Sequence, residues 1–416
     1  MPTSSRRSVA NTGRRLTEIL DTLDLGPHHR LAVVTENNTL SAVPMALDGD
    51  GVLQRAHPGD GAAEALLDLI AEVTVSRRTG RFAVRSWTDL TAVGEQAIGV
   101  DQTNESVIVG ATAVVKWATH LQQGPHPAMA RINALRDAGF TGMPAPWGLV
   151  TWQPPGAAET LVAYADEFLP GAVDGWTWAV DIVTAASAHR DSEYLAAAIA
   201  EVGTLVAELH AALAPTASLA SERDTTRWRD DALELLETAC EIGDSASCRL
   251  LRSARAQIVT ELETLGTLAG TAVLEGHGDL HVGQVLHGAG RFVVTDFDGN
   301  PVLPASQRAL PIPAVLDVAG MIQSLAHVAI VASKYTSLDP GDLGKVDRHA
   351  REVFLAAYRR RLAELGHARL YDPRPLRAFR IQQVIREMIY AANHLDRWMY
   401  VPDAALPALL DERTEL

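Results

Sequence analysis

Hydrophobic and polar positions change their period once along the chain. The stretches 31–35, 39–46 and 52–55 alternate with a period of two and are separated by the turn signals Glu36-Asn37-Asn38 and Asp48-Gly49-Asp50-Gly51. A short helix is predicted over 15–23, a second one from a cap at Asp60 to about 73, and a strand pair around 82–87. Short strands follow at 96–100 and 106–109 around the polar turn 101–105, with a third at 112–117. A helix over 127–138, closed by Gly139, and a strand over 161–168 complete this part.

From about 173 onward the period is three to four. Helices are predicted over 176–189, 192–214, 225–242, 245–267, 315–334, 345–365 and 374–397, interrupted by one β-like island at 284–296. The pattern divides the chain into a β-rich N-terminal region (1–95), a mixed unit (96–172) and a helical region containing one hairpin (173–416). The fold class is α+β.

Composition narrows the function classes. The chain has 416 residues and a net charge of -15, which disfavours nucleic acid and anionic lipid as partners. Only two cysteines occur, Cys240 and Cys248, so a disulfide-built secreted fold is excluded. The N-terminus carries arginines without an apolar core, and the best membrane-span candidate, 195–213, is broken by Glu201 and Glu208. These features predict a cytoplasmic protein, and the helix faces predict a monomer. Of 36 basic residues only Lys116, Lys334 and Lys345 are lysines. A lysine kept in an apolar strand therefore calls for a reason.

The chemistry concentrates in the island. It runs from His277-Gly278-Asp279 through Gln284 to Asp296-Phe297-Asp298-Gly299. A turn at Gly288-Ala289-Gly290 pairs His287 with Arg291 and sets Gln284 opposite Val294. Gln284 and Asp296 then lie on one face as diagonal neighbours, and Asp279 sits in the loop leading in. Two carboxylates and an amide oxygen at a hairpin mouth suit Mg²⁺ and nucleotide phosphates, with one carboxylate left to orient a hydroxyl and take its proton. Asp279 is the candidate base, Gln284 and Asp296 the candidate metal ligands, and Asp298 a further metal or substrate-facing carboxylate. His277 and His281 read as braces of the loop. Lys116, in Ala113-Val114-Val115-Lys116, is placed to meet α/β-phosphate oxygens. No Walker A and no G-x-G-x-x-G sequence occurs, so the turn 102–106, with Gln102, Thr103 and Ser106, is the candidate phosphate cover.

The block HGDLHVGQVLH…VTDFDGNP resembles maltokinases and, more broadly, the aminoglycoside phosphotransferase-like kinases. So do 101–106 with Lys116, the stretch 167–176, and 316–324. The likeness covers about 95–400. It implies a bilobal, protein-kinase-like fold with a β-rich N-terminal cap and a helical C-terminal lobe, with ATP and Mg²⁺ as cofactors. It implies Asp279 as base, Gln284 and Asp296 on the metal, and adenine bound by backbone around Ala165, Glu167 and Phe168. The chain departs from the pattern at Ala130, where such kinases place a helix Glu that pairs with the strand lysine.

The acceptor pocket is expected from the last helices. Gln383, Glu387, Tyr390 and His394 form one polar stripe at helical spacing, followed by Trp398, Tyr400 and Asp403. Aromatic faces and carboxylates suit a sugar, and acidic groups suit an ammonium. The run Gln383-x-x-Arg386-Glu387-x-x-Tyr390 with Trp398 is similar to a branch of glucosamine kinases of high-GC bacteria. Glucosamine, phosphorylated at its 6-hydroxyl, is the expected acceptor. Maltose 1-phosphorylation, aminoglycoside phosphorylation and a catalytically weak binding module are the alternatives.

Overall fold

The computed structural model describes residues 18–37, 39–98, 105–121, 124–189 and 192–412. The chain forms two units, one of residues 1–125 with 145–168, the other of residues 126–144 with 169–416. The helix predicted over 127–138 thus belongs with the helical unit.

The first unit holds two antiparallel sheets. β1 (Glu18–Asp24), β2 (His29–Glu36), β3 (Thr39–Leu47) and β4 (Leu53–Arg55) form a meander. The helix predicted over 15–23 is instead strand β1 where described. The second sheet contains β5 (Ser76–Thr79), β6 (Phe82–Ser86), β7 (Glu95–Ala97), β8 (Glu105–Val109), β9 (Ala113–Trp117), β10 (Pro146–Trp152) and β11 (Thr160–Glu167). Their order is β5-β6-β10-β11-β9-β8-β7. β10, absent from the sequence reading, is buried almost throughout, so it shows no alternation. Leu31, Leu66, Ile70, Phe82, Trp117 and Trp152 fill the core.

Helix α1 (Ala62–Ala71) is capped from a distance. Its N-cap is Gly61, and the carboxylate of Glu95 accepts from the N–H groups of Gly59, Gly61, Ala63 and Glu64 at 2.6–3.2 Å. The predicted cap, Asp60, instead accepts from the His57 N–H.

The second unit is helical. Its first elements are α2 (Pro127–Asp137), α3 (Gly175–His189), α4 (Glu193–Ala212) and α5 (Glu222–Glu241). The span 245–267 is broken at Ala254 into α6 (Ala246–Ser253) and α7 (Arg255–Glu263), ending in a 3-10 turn. β12 (Ser218–Leu219) pairs with β13 (Ala272–Val273), and β14 (Val285–Gly288) with β15 (Arg291–Val294). α8 (Ala305–Arg308), α9 (Ala314–Tyr335), α10 (Pro340–Glu364), α11 (Leu376–His394) and α12 (Tyr400–Asp411) complete it. α4 and α9 are long and apolar enough by composition to cross a membrane, but 83% of the apolar window of α9 is buried inside the fold. α9 is a core helix.

Candidate active site

The hairpin differs from its predicted register by one residue. Gly288 pairs with Arg291 and Val285 with Val294, across the two-residue turn Ala289-Gly290. Both turn residues have positive φ, 52° and 73°, which matches the twist of a tight hairpin. Gln284 therefore leaves the strand and ends a 3-10 turn, and the Thr295 N–H donates to its carbonyl. Asp296 follows in left-handed backbone at φ 63°, a conformation Asp tolerates better than most residues. This turns its carboxylate back to Gln284, whose Nε2 lies 3.2 Å from Asp296 Oδ2.

The loop before the hairpin is held by buried polar groups. Asp317 on α9 accepts from the N–H groups of His277 (2.7 Å) and Gly278 (2.8 Å). Burial pushes Asp317 up, but the His210 hydrogen bond, His277 and Gly278 carry it below the usual carboxylate range. His210 lies between Asp317 (3.3 Å) and the Tyr358 hydroxyl (2.9 Å). His277 Nε2 faces the Thr295 carbonyl at 2.9 Å, and its Nδ1 accepts from the Asp279 N–H. A ring that donates from Nε2 and accepts at Nδ1 is neutral, and burial holds His277 below the usual imidazole range. His281 accepts from the Gly283 N–H and is likewise lowered by burial. Both histidines brace the loop.

Asp279 is the site's perturbed group. Burial first, then the nearby charge of Asp296, pushes its carboxyl up to about 7, opposed by Arg386 and assisted by Asp317 and Glu387. Gly278, Asp279, His281, Gln383 and Arg386 line a narrow cleft here. Helix α9 comes close enough that a Cβ on Gly320 would stand 2.3 Å from the Leu280 carbonyl oxygen.

Asp298 faces a basic neighbourhood, where its charge acts on His126, Arg131 and Arg308. Arg131 of α2, 1% exposed, donates to the carbonyls of Phe297 (2.8 Å) and Arg308 (2.9 Å). Ala130 carries no carboxylate, and its neighbour Arg131 ties the helix to the Asp296–Asp298 turn.

The acceptor candidates divide into two sets. Glu387 is bound by Gln383 (3.2 Å) and faces His327 Nδ1 at 3.1 Å. Burial raises its carboxyl, and His327, Gln383 and His281 outweigh this and bring it below the usual range. Tyr390 and His394 are exposed and touch each other. Trp398 packs edge-on against Trp176, which also sits beside His281, so the tryptophan pair reaches the catalytic loop. Asp403, expected near an ammonium, is committed elsewhere: it accepts from the Ser247 N–H and hydroxyl at the start of α6.

In the first unit, Lys116 meets Asp166 of β11 at 3.0 Å. Ser106 lies opposite Lys116 in the register, and its buried hydroxyl has no hydrogen-bond partner among the described residues. Gln102 and Thr103 lie outside the described residues. Ala165 is buried in the sheet, while the N–H groups of Glu167 and Phe168 donate to the carbonyls of Ala145 and Thr112. Those two N–H groups are therefore not open to adenine as the strand stands.

A braced loop aspartate, an amide five residues on, and a second aspartate after a hairpin are the arrangement expected of a phosphotransferase. No protein-family model matches the chain. It is 61% identical over 396 residues to the glucosamine kinase of Mycolicibacterium smegmatis, covering 95% of this chain and 99% of that protein. It is 42% identical over 422 residues to the glucosamine kinase of Streptacidiphilus jiangxiensis, covering 99% and 95%. A solved glucosamine kinase in complex with glucosamine, ADP and inorganic phosphate superposes with a TM-score of 0.84 at 41% identity, over 97% of this chain and 95% of that one. The chain belongs to the glucosamine kinase family. Of the acceptors raised by the sequence, glucosamine is the one its relatives carry.

Proposed function

We infer that this protein moves the γ-phosphoryl group of ATP to glucosamine, with Asp279 orienting the acceptor hydroxyl and taking its proton. The supporting observation is the meeting of Gln284 and Asp296 at the hairpin mouth beside an Asp279 held near neutral pH. We propose the primary 6-hydroxyl, the least hindered on the sugar, as the acceptor.

The donor set suits Mg²⁺: one carboxylate and one amide oxygen, leaving positions for phosphate and water. The charge of Asp296 beside Asp279 also favours a cation there. Gln284 and Asp296 would hold the ion, with Asp298 nearby, and the ion would supply neutralisation of phosphate charge. Lys116, set by Asp166, is proposed to meet the nucleotide phosphates, and the unpartnered Ser106 hydroxyl beside it offers one more donor. Glu387 is proposed to accept the substrate's ammonium, with Trp176 and Trp398 as apolar faces and Tyr390 and His394 at the rim. Two free cysteines fit a cytoplasmic enzyme, and we propose a monomer.

The experiment is turnover with Mg-ATP on glucosamine, N-acetylglucosamine, glucose, maltose and kanamycin, followed by ADP release and ³¹P NMR of the product. Preference for glucosamine with a 6-phosphate product is expected. Turnover of maltose or kanamycin alone would overturn the reading.

A further inference from the structure

A buried polar ladder joins α9 to α11 and ends at Glu387. Its members Arg380, Gln323 and His327 are 3%, 1% and 0% exposed. Arg380 is itself bound by the Glu412 carboxylate, at 2.6 and 3.3 Å. Arg380 Nε lies 3.1 Å from Gln323 Oε1, Gln323 Nε2 lies 3.0 Å from His327 Nε2, and His327 Nδ1 lies 3.1 Å from Glu387 Oε2.

Hydrogen-bond chemistry gives this ladder one direction. A guanidinium only donates, so it fixes the Gln323 amide with oxygen toward Arg380 and NH₂ toward His327. Facing that NH₂, His327 Nε2 must accept and carries no proton. The imidazole proton is then on Nδ1, which lies 3.1 Å from Glu387 Oε2, within reach of it but off the line of a formed hydrogen bond. Gln383 supplies a second donor to the other oxygen of the same carboxylate. The other titratable groups coupled to Glu387 from the loop before the hairpin are His281, which is set by its own loop, and Asp279, whose carboxyl Glu387 helps to raise.

We propose that His327 is a positioning residue that keeps Glu387 an ionised acceptor in fixed orientation, and thereby sets the preference for an amino sugar over its 2-hydroxyl counterpart. The inference rests on the reading of Glu387 as the ammonium acceptor. With Gln383 donating to one oxygen and the His327 Nδ1–H close to the other, Glu387 is disfavoured as a protonated carboxyl that would suit a neutral hydroxyl as well as a cation. Arg380 and Gln323 act only through His327.

The test compares calorimetric affinities for glucosamine and for glucose in the whole enzyme and three variants. Glu387→Gln is expected to lower glucosamine affinity by more than about tenfold and glucose affinity by less than about threefold. A selectivity unchanged in that variant would overturn the reading of Glu387 and the inference with it. His327→Leu is expected to lose about tenfold for glucosamine alone, and His327→Asn, whose amide N–H can stand where Nδ1–H stood, to keep wild-type selectivity within about threefold. If Glu387→Gln loses selectivity while His327→Leu retains it, or if Asn fails as fully as Leu, the inference falls and the reading of Glu387 stands. ¹⁵N NMR of the unmutated enzyme gives a readout independent of variant folding. A bare Nε2 and a protonated Nδ1 on His327 are expected, and the opposite tautomer would overturn the proposal.

Discussion

Lys116 and Asp166, fifty residues apart in sequence, meet at 3.0 Å within the large sheet of the first unit. In the β9–β11 register Lys116 stands opposite Tyr164 and Asp166 opposite Val114, so the two are diagonal neighbours on one face. The lysine that has no helix glutamate at Ala130 is thus oriented from its own sheet. Burial pushes the Asp166 carboxyl above its usual range, and the Lys116 ammonium pulls it back. Removing the lysine alone leaves a buried carboxylate unpaired, at a cost of order 3 kcal/mol or less given the partial exposure of Lys116. Lys116→Met is therefore expected to be less stable in urea than the double variant Lys116→Met/Asp166→Leu. Equal stability would show that the pair is not coupled. Asp166→Asn is expected to raise KM for ATP about tenfold with KM for glucosamine unchanged.

Asp279, proposed as the base, is expected to carry the pH dependence. Its carboxyl is pushed up to about 7 in the fold from an ordinary value of 3.8. The base must be deprotonated to work, so kcat/KM is expected to fall with unit slope as pH drops through about 7. Stability runs the other way. Between 3.8 and about 7 the folded chain binds this proton and the unfolded chain does not, so rising pH destabilises the fold across that window. Asp279→Asn is expected to lose at least about a hundredfold in kcat. It is also expected to melt higher than the unmutated enzyme at pH 8, the gap narrowing as pH falls and closing only near 3.8. A variant that is no more stable at pH 8 would show that the carboxylate bears no burial cost.

Much of the site was legible because its key residues are close in sequence. Asp279, Gln284 and Asp296 fall within eighteen positions, and the spacing of a hairpin brings them together whichever register it takes. The register itself was misread because Ala289 takes a left-handed conformation usually left to Gly or Asn, which shortens the turn by one residue. Strand β10 was missed because a strand buried on both faces has no alternation. Asp166, Asp317, Arg131 and His327 were missed for another reason: each acts on a residue at least 39 positions away, and no local pattern signals such a partner. Glu95, capping α1 from 31 to 36 positions away, is the same case.

Arg131 gives the turn carrying Asp296 and Asp298 its support. Its guanidinium is buried against two carbonyls, with no carboxylate in hydrogen-bond contact among the described residues, and burial lowers its pKa. Lysine cannot span both carbonyls, since it lacks the planar fork. Arg131→Lys is expected to raise the Mg²⁺ concentration for half-maximal activity about tenfold while leaving glucosamine affinity unchanged. A Mg²⁺ titration at saturating ATP and glucosamine reads this directly. An unchanged midpoint would mean that the turn holds its shape without the arginine.

The close approach of α9 to the catalytic loop gives the last test. A Cβ on Gly320 would lie 2.3 Å from the Leu280 carbonyl oxygen, which is backbone and cannot swing away as a side chain does. Three residues earlier on the same helix, Asp317 holds the N–H groups of His277 and Gly278, and one turn later the Ser324 hydroxyl accepts from the Val282 N–H. The loop is thus pinned on both sides of the contact and must strain rather than shift. Gly320→Ala is expected to lower stability by about 1–3 kcal/mol in chemical denaturation. It is also expected to lower kcat more than KM, because the residue displaced, Leu280, is bonded directly to Asp279. Gly344→Ala on α10, where an added Cβ meets nothing within 4 Å, serves as the control and is expected to leave kcat unchanged. Wild-type kcat in Gly320→Ala would show that the helix and loop separate at no cost to the geometry of Asp279.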